Sequence, residues 1–108
     1  MSDGKSTRAL LKEIRGLTGV AYADSDGGVE EEAGNSFDAD TFCAVGVVAG
    51  RQLEAVGDIL SAGRLKRWYV VSDSVTVWVN QREDGLLVAT GPVAKNPEPT
   101  SKALSRRS

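Results

Sequence analysis

The sequence predicts an α+β domain in which one five-stranded antiparallel sheet is sandwiched by helices. Runs with helical or with alternating apolar periodicity follow in the order helix, two strands, helix, three strands and a short final helix or tail. The strands form one pair and one group of three, each joined by short turns rich in Gly, Asp and Ser. This grouping favours antiparallel neighbours within a single sheet.

Length and composition indicate one domain. The chain has 108 residues, of which 41% are hydrophobic, and a domain of this size buries enough apolar surface for one core. Residues 1–5 are predicted to be a disordered N-terminus, and the domain is predicted over residues 6–95. Pro97 and Pro99 interrupt regular structure, so residues 96–108 are predicted to form a short C-terminal helix or a tail.

Charge and hydropathy exclude several classes of partner. Lys and Arg total 13, Asp and Glu total 15, and the net charge of −2 provides no overall attraction to nucleic acid or to an anionic membrane. No apolar run approaches the ~20 residues that a membrane-spanning helix requires. The N-terminus lacks the apolar stretch of a signal peptide, and one cysteine forms no internal disulfide, so a cytoplasmic location is the default expectation.

The residue inventory also excludes most catalytic chemistry. Without histidine, a Ser-His-Asp triad, a Cys-His dyad and the usual zinc sites are impossible. Gly4-Lys5-Ser6 matches only the tail of a phosphate-binding loop, and Asp24–Gly28 lacks the closing glutamate of a calcium loop. Cys43 is predicted to be a small buried residue. We therefore predict no catalytic residue, no metal, no cofactor and no enzymatic activity.

A short helix and a β-hairpin open the predicted domain. The helix begins at the Ser6-Thr7 capping site and reaches about Arg15. Strands are predicted over residues 19–24 and 29–33, and glycines in Ser25-Asp26-Gly27-Gly28 supply the positive φ of a hairpin turn. The apolar stripe of the helix consists of Leu10, Leu11 and Ile14.

The second strand of the hairpin contains the run Glu30-Glu31-Glu32. Such a run is unfavourable in a central strand and suits an edge strand. Successive side chains point to opposite faces, so the three carboxylates cannot converge on one site. A solvated edge and a charged contact for a basic partner are both open interpretations.

A long helix follows, capped by Asp38 or Asp40 and reaching about Ala62. It spans roughly 30–35 Å. Because it is apolar over most of its circumference, we expect burial on two sides, one against its own sheet and one against a partner. One apolar stripe comprises Phe42, Val45, Ala49, Leu53, Val56 and Leu60, and a wider set adds Ala44, Val47, Val48, Ala55 and Ile59.

Three strands complete the predicted sheet, over residues 65–72, 75–80 and 86–90. The outer strands are then 29–33 and 65–72. The second of these carries a long apolar run, which makes it an unprotected edge that invites another strand. Core packing of its aromatic residues is the alternative interpretation.

Self-pairing along residues 65–72 would extend the sheet across a two-fold axis and bring two long helices side by side. That arrangement also accounts for the second apolar side of the long helix. The predicted dimer interface consists of Val45, Ala49, Leu53, Val56, Trp68, Tyr69, Val70 and Val71.

The pattern resembles the Roadblock family, dynein light-chain-like domains related to the longin and profilin-like folds. The resemblance covers roughly residues 6–104. Leu11–Val20 resembles the opening helix and its Gly-Val strand, and Asp24–Gly28 resembles the Asp-x-Asp-Gly hairpin. The helix end at Leu60–Gly63 and the strand at Gly85–Val88 also fit.

The resemblance implies a dimer that binds and regulates a Ras-like small GTPase, or that tethers a motor or signalling complex. It places the dimer contact on the strand around Trp68–Ser72 and on the long helix. It places the GTPase on the helix-pair face near Arg51, Glu54 and Asp58, our predicted partner-binding residues. The family has no invariant catalytic residue to carry over.

One departure from the family pattern keeps a second hypothesis open. The last helix looks short after its two prolines, so part of one sheet face is expected to be uncovered. The chain would then be a structural or sensory module of the longin or profilin-like kind, binding a peptide or a small ligand on that face.

Overall fold

The computed structural model describes residues 6–34, 38–60 and 65–107. The predicted disordered residues 1–5 and the predicted helix end at 61–62 lie outside these ranges. The order of elements is the predicted one. The elements are α1 Thr7–Glu13, β1 Gly19–Asp24, β2 Val29–Gly34, α2 Ala39–Ile59, β3 Arg67–Val71, β4 Thr76–Arg82, β5 Gly85–Gly91 and α3 Glu98–Arg107.

The strands form one sheet in the order β2-β1-β5-β4-β3, with every neighbouring pair antiparallel. The segment containing α2 carries the chain from one edge to the other, and β5 then inserts between β1 and β4. Every residue of β5 is buried, as expected for the central strand. The predicted α+β class and the two predicted edge strands, β2 and β3, are confirmed.

Hydrogen bonds to two aspartate side chains fix the turn between β1 and β2 and the start of α2. Asp24 Oδ1 accepts hydrogen bonds from the backbone N–H groups of Asp26 (2.9 Å) and Gly28 (2.8 Å), and Gly27 adopts φ 90°. The sequence Asp24–Gly28 is therefore a hairpin turn, as predicted. Asp38 caps α2 by accepting from Thr41 N at 3.2 Å and Thr41 Oγ1 at 2.8 Å. These bonds hold the pKa of the Asp38 carboxyl below its usual value.

Helices cover both faces of the sheet. On one face α1 and α3 share a single apolar cluster with the sheet, and on the other face α2 packs over a second cluster. The first cluster contains Leu10, Ile14, Val20, Tyr22, Trp78, Leu87, Ala89 and Leu104. The second contains Ala21, Ala23, Ala39, Cys43, Val79, Leu86 and Val88.

The side of α2 that meets the sheet is built from small residues. Its buried positions are Ala39, Cys43, Gly46 and Gly50, spaced by four, three and four residues. A Cβ added at Gly46 would lie only 3.4 Å from Leu86 Cδ1, so the helix backbone sits close to β5. Small side chains permit this approach, and they leave the large apolar side chains of α2 on its other sides.

The last helix is longer than predicted and covers the sheet face that was expected to be partly open. It spans Glu98–Arg107, and its Leu104 is 1% exposed within the first cluster. Trp78 Nε1 donates to the carbonyl of Pro97 at 2.9 Å, and Glu98 accepts from Arg67 at 2.9 Å. The expectation failed because these contacts join residues far apart in sequence, whereas the two prolines are a local signal.

Candidate protein-interaction surface

Exposed apolar side chains concentrate on two elements, α2 and β3. Ten large hydrophobic residues are exposed in the part of the chain that the structure describes, and nine of them lie on these elements or at the α2 C-cap. The tenth is Val93, in the connection before α3. An apolar patch of this kind marks an interaction site on a soluble domain. The nine are Val45, Val48, Leu53, Val56, Ile59, Leu60, Tyr69, Val70 and Val71.

Among the described strands, the edge strand β3 pairs with β4 alone, and its other side is open. Val70 is 51% exposed and pairs with Val77, on the sheet face that α2 covers. Tyr69 lies on the opposite face, where its hydroxyl donates to Glu98 at 3.2 Å. Desolvation and this hydrogen bond raise the pKa of Tyr69. The half-buried Trp68 packs on the α2 side, and its indole N–H has no acceptor among the described residues.

The predicted interface and partner-binding residues separate onto opposite sides of α2. At 100° per residue, Val45, Ala49, Leu53 and Val56 fall on one side. Arg51, Glu54 and Asp58 fall on the other. Val45, Leu53 and Val56 are exposed, whereas Ala49 is half-buried. The seam of small residues that meets the sheet therefore runs between the apolar side and the polar side of α2.

The polar side of α2 borders a groove of about 330 Å³ at the end of the sheet where β4 turns into β5. Arg51 and Glu54 line it from the helix, and Gln81 and Glu83 line it from the sheet. Asp58 is exposed one turn further along the helix. The remaining lining residues are Ser25, Val47, Gly50, Leu65, Arg82, Gly85 and Leu86.

Two glutamates in the predicted binding regions already have partners within the chain. Glu54 is half-buried, and its carboxylate accepts from the backbone N–H of Leu65 at 3.1 and 3.3 Å. It therefore anchors the chain where it enters β3. Glu31 accepts from the backbone N–H of Thr7 at the start of α1, and Glu30 and Glu32 on either side of it are exposed.

Cys43 lies on the sheet-facing side of α2 and is fully buried, as predicted. Burial, with smaller contributions from Asp40 and Glu32, raises the pKa of its thiol to about 11. The thiolate is the reactive species, so burial and the raised pKa both slow the reaction of the native thiol with reagents in solution.

We expect Cys43 to react with a disulfide reagent at pH 8 at least ~100-fold more slowly in the native protein than in urea, because the thiolate is scarce and enclosed. Absorbance of the released thiolate measures both rates, and Cys43→Ser provides the blank. Equal rates in the two states would show that α2 does not cover this side chain.

The described residues contain neither a cluster of potential metal ligands nor a helix that could span a membrane. No group of three or more potential metal-ligating side chains comes together among them. None of the helices in the described part of the chain has the length and hydrophobicity required to cross a bilayer.

The fold has close counterparts among solved structures, although no family model and no curated protein matches the chain. A Roadblock/LC7 domain from Streptomyces avermitilis superposes with a TM-score of 0.80 at 16% identity, covering 93% of this chain and 86% of that one. The gliding protein MglB from Thermus thermophilus gives 0.72 at 17% identity, covering 93% and 83%. Myxococcus xanthus MglB gives 0.74 at 11% identity, covering 92% and 85%.

Proposed function

Because the chain has the Roadblock/LC7 fold, we propose that it is a homodimeric, non-catalytic module that regulates or scaffolds a Ras-like small GTPase. The observation that carries the proposal is the concentration of exposed apolar side chains on β3 and α2. The sequence resemblance to the Roadblock family supports the same assignment.

In the proposed dimer, the open edges of two β3 strands pair antiparallel across a two-fold axis. The pairing supplies partners for the free backbone N–H and C=O groups of the edge and makes one continuous sheet. It places both α2 helices on the same side of that sheet, where Leu53 and Val56 of each copy lose contact with water. The exposed apolar area on α2, which the isolated chain leaves in water, then becomes interface.

The proposed GTPase-binding face is the polar side of α2 around the groove. Arg51 and Asp58 are both exposed and carry opposite charges, so together they can pair with an acidic and a basic group of a partner. Glu54 contributes indirectly, because its bonds to Leu65 N hold the groove wall in place. Our proposal therefore assigns direct contact to Arg51 and Asp58 and a positioning role to Glu54.

The alternative module, binding a peptide or small ligand on an open sheet face, has less support. It required an uncovered face beneath the last helix, and α3 fills that position with Leu104. No observation among the described residues favours it.

Binding to purified Ras-like GTPases from the same genome, loaded with GDP or with a non-hydrolysable GTP analogue, tests the proposal. We expect at least one GTPase to bind in a nucleotide-dependent way. Arg51→Glu should weaken that binding by about tenfold or more, because it replaces one attraction with a repulsion. Isothermal calorimetry measures the dissociation constant.

Arg106→Glu is the matched control, since it makes the same charge change on an exposed helical arginine of α3, on the other side of the sheet. It should leave the GTPase affinity within about twofold of the unmodified chain. Loss of binding in both variants, or in neither, would contradict the placement of the GTPase on α2. Absence of binding to every GTPase would remove the proposed function.

A further inference from the structure

The net charge of −2 conceals a separation of charge between the two sides of the molecule. Five exposed basic side chains lie on α1, α3 and the turn after α1, and none forms an ion pair with another described residue. They are Arg8, Lys12, Arg15, Lys102 and Arg106.

Helical phase directs these side chains away from the sheet. On α1, Leu10 points into the core, and Arg8 and Lys12 lie about 160° from it on either side. On α3, Leu104 is buried, and Lys102 and Arg106 likewise lie about 160° from it on either side. Each helix therefore presents an i, i+4 pair of cations to solvent.

The cation pairs have opposing effects on their own helices. The two charges of each pair repel at i, i+4, while the second lies in the last helical turn, where the helix dipole favours a cation. Helix stability therefore neither requires nor forbids the pairs. The acidic residues of α1 and α3 are Glu13 and Glu98, and Glu98 is bound to Arg67. Glu31 of β2 faces the same layer, and its carboxylate accepts from Thr7 N, so three carboxylates stand against five exposed cations. The outer surface of this layer is consequently basic.

The other side of the sheet carries the opposite charge. Glu32 on the β2 edge is exposed on this side, as are Asp38 and Asp40 at the start of α2 and Asp58 near its end, against one exposed arginine of α2, Arg51. A surface of negative potential would attract the α1–α3 side and repel the α2 side, so it would orient the molecule as well as bind it.

We propose that the outer face of α1 and α3 is a docking surface for an anionic lipid membrane. The cations come from two helices of one layer, and the groove found in the described residues lies at the α2 side. Exposed cations spread over two helices suit a broad anionic surface better than a single acidic peptide. Each Lys or Arg that reaches such a surface strengthens binding by roughly fivefold.

The basic face exists in each protomer and does not depend on the proposed function. If the β3 dimer forms, both α2 helices lie on one side of the joined sheet, and both basic faces lie on the other. The dimer would then present two copies of the five-cation face to one membrane and hold the proposed GTPase-binding face away from it.

Co-sedimentation of the full chain with vesicles tests the proposal. One set contains phosphatidylcholine only, and the other equal parts of phosphatidylcholine and phosphatidylglycerol. We expect binding to the second set only, at about 0.1 M salt, and a loss of roughly tenfold or more at about 0.5 M salt, where screening shortens the range of the attraction. Arg106→Glu changes two charge units and should weaken partitioning roughly 25-fold.

Arg51→Glu is the matched control, because it makes the same change in net charge on the α2 side. It should alter vesicle binding by less than about twofold, and Lys102→Glu should repeat the loss seen with Arg106→Glu. Equal effects of Arg51→Glu and Arg106→Glu would overturn the proposal. So would failure to bind phosphatidylglycerol vesicles, including the case in which polyglutamate binds instead and identifies an acidic protein partner. GTPase binding, measured separately, distinguishes failure here from failure of the proposed function.

Discussion

Val70→Lys is expected to convert the proposed homodimer into a monomer at micromolar concentration. Val70 is in the edge strand β3 and is 51% exposed in the isolated chain. Pairing of two β3 edges would bring both lysines into the seam, where an unpaired charge loses its hydration and like charges repel. A cost of about 3 kcal/mol raises the dissociation constant of the dimer by about 100-fold or more. Sedimentation velocity over a concentration series measures it.

Val93→Lys is the matched control, since Val93 is 48% exposed and lies outside the proposed seam. It makes the same chemical change and should leave the dimer intact. If Val70→Lys dimerises as tightly as Val93→Lys, the seam lies elsewhere. A monomeric unmodified chain would contradict homodimerisation itself, without affecting the fold.

Gly85→Ala is expected to destabilise the domain by about 3 kcal/mol or more, which corresponds to a fall in Tm of roughly 12 °C or more. Gly85 opens β5 and lies between Asp24 of β1 and Arg82 of β4. A Cβ there would lie 1.9 Å from the carbonyl oxygen of Ala23 and 2.9 Å from its carbonyl carbon. Both are backbone atoms, so the clash can be relieved only by moving strands apart. Thermal unfolding followed by far-UV circular dichroism measures the change.

Gly46→Ala provides a control of opposite sign. The added Cβ would make ordinary contacts, 3.4 Å from Leu86 Cδ1 and 3.7 Å from Val88 Cγ2. Alanine also has the better helix propensity, so we expect a change between zero and about 1 kcal/mol of stabilisation. If Gly85→Ala melts at the temperature of the unmodified chain, β1 and β5 do not approach as described. A large loss in Gly46→Ala would mean that α2 lies closer to the sheet than these distances indicate.

Patterns confined to neighbouring residues predicted the fold well. The Asp24–Gly28 turn, a cap at Asp38 or Asp40 and the order of elements all follow from residues within a few positions of one another, and the structure selects Asp38. The edge strands also followed from sequence. The Glu30-Glu31-Glu32 run is suited to an edge, and a sheet built from one hairpin and one group of three strands has few possible strand orders. The last helix was underestimated because its stability comes from Trp78, Arg67 and the core, which lie far away in sequence.

The surface features depended on tertiary structure. Hydrophobic periodicity marked α2 as apolar nearly all round, but it did not indicate which side meets the sheet. Close packing decides it, because only the side with the small residues Cys43, Gly46 and Gly50 allows the helix to approach the sheet closely. Val45 and Val56 consequently face outward.

Local propensity and alternation thus determined the α+β class and predicted the β3 edge directly from sequence, and composition alone excluded histidine chemistry. Only the tertiary structure decided which charges share a surface. Arg8 and Arg106 are 98 positions apart in the chain, yet α1 and α3 lie on the same face of the sheet. A net charge sums over the whole sequence and contains no positions in space, so the separation of basic and acidic sides is visible only after folding.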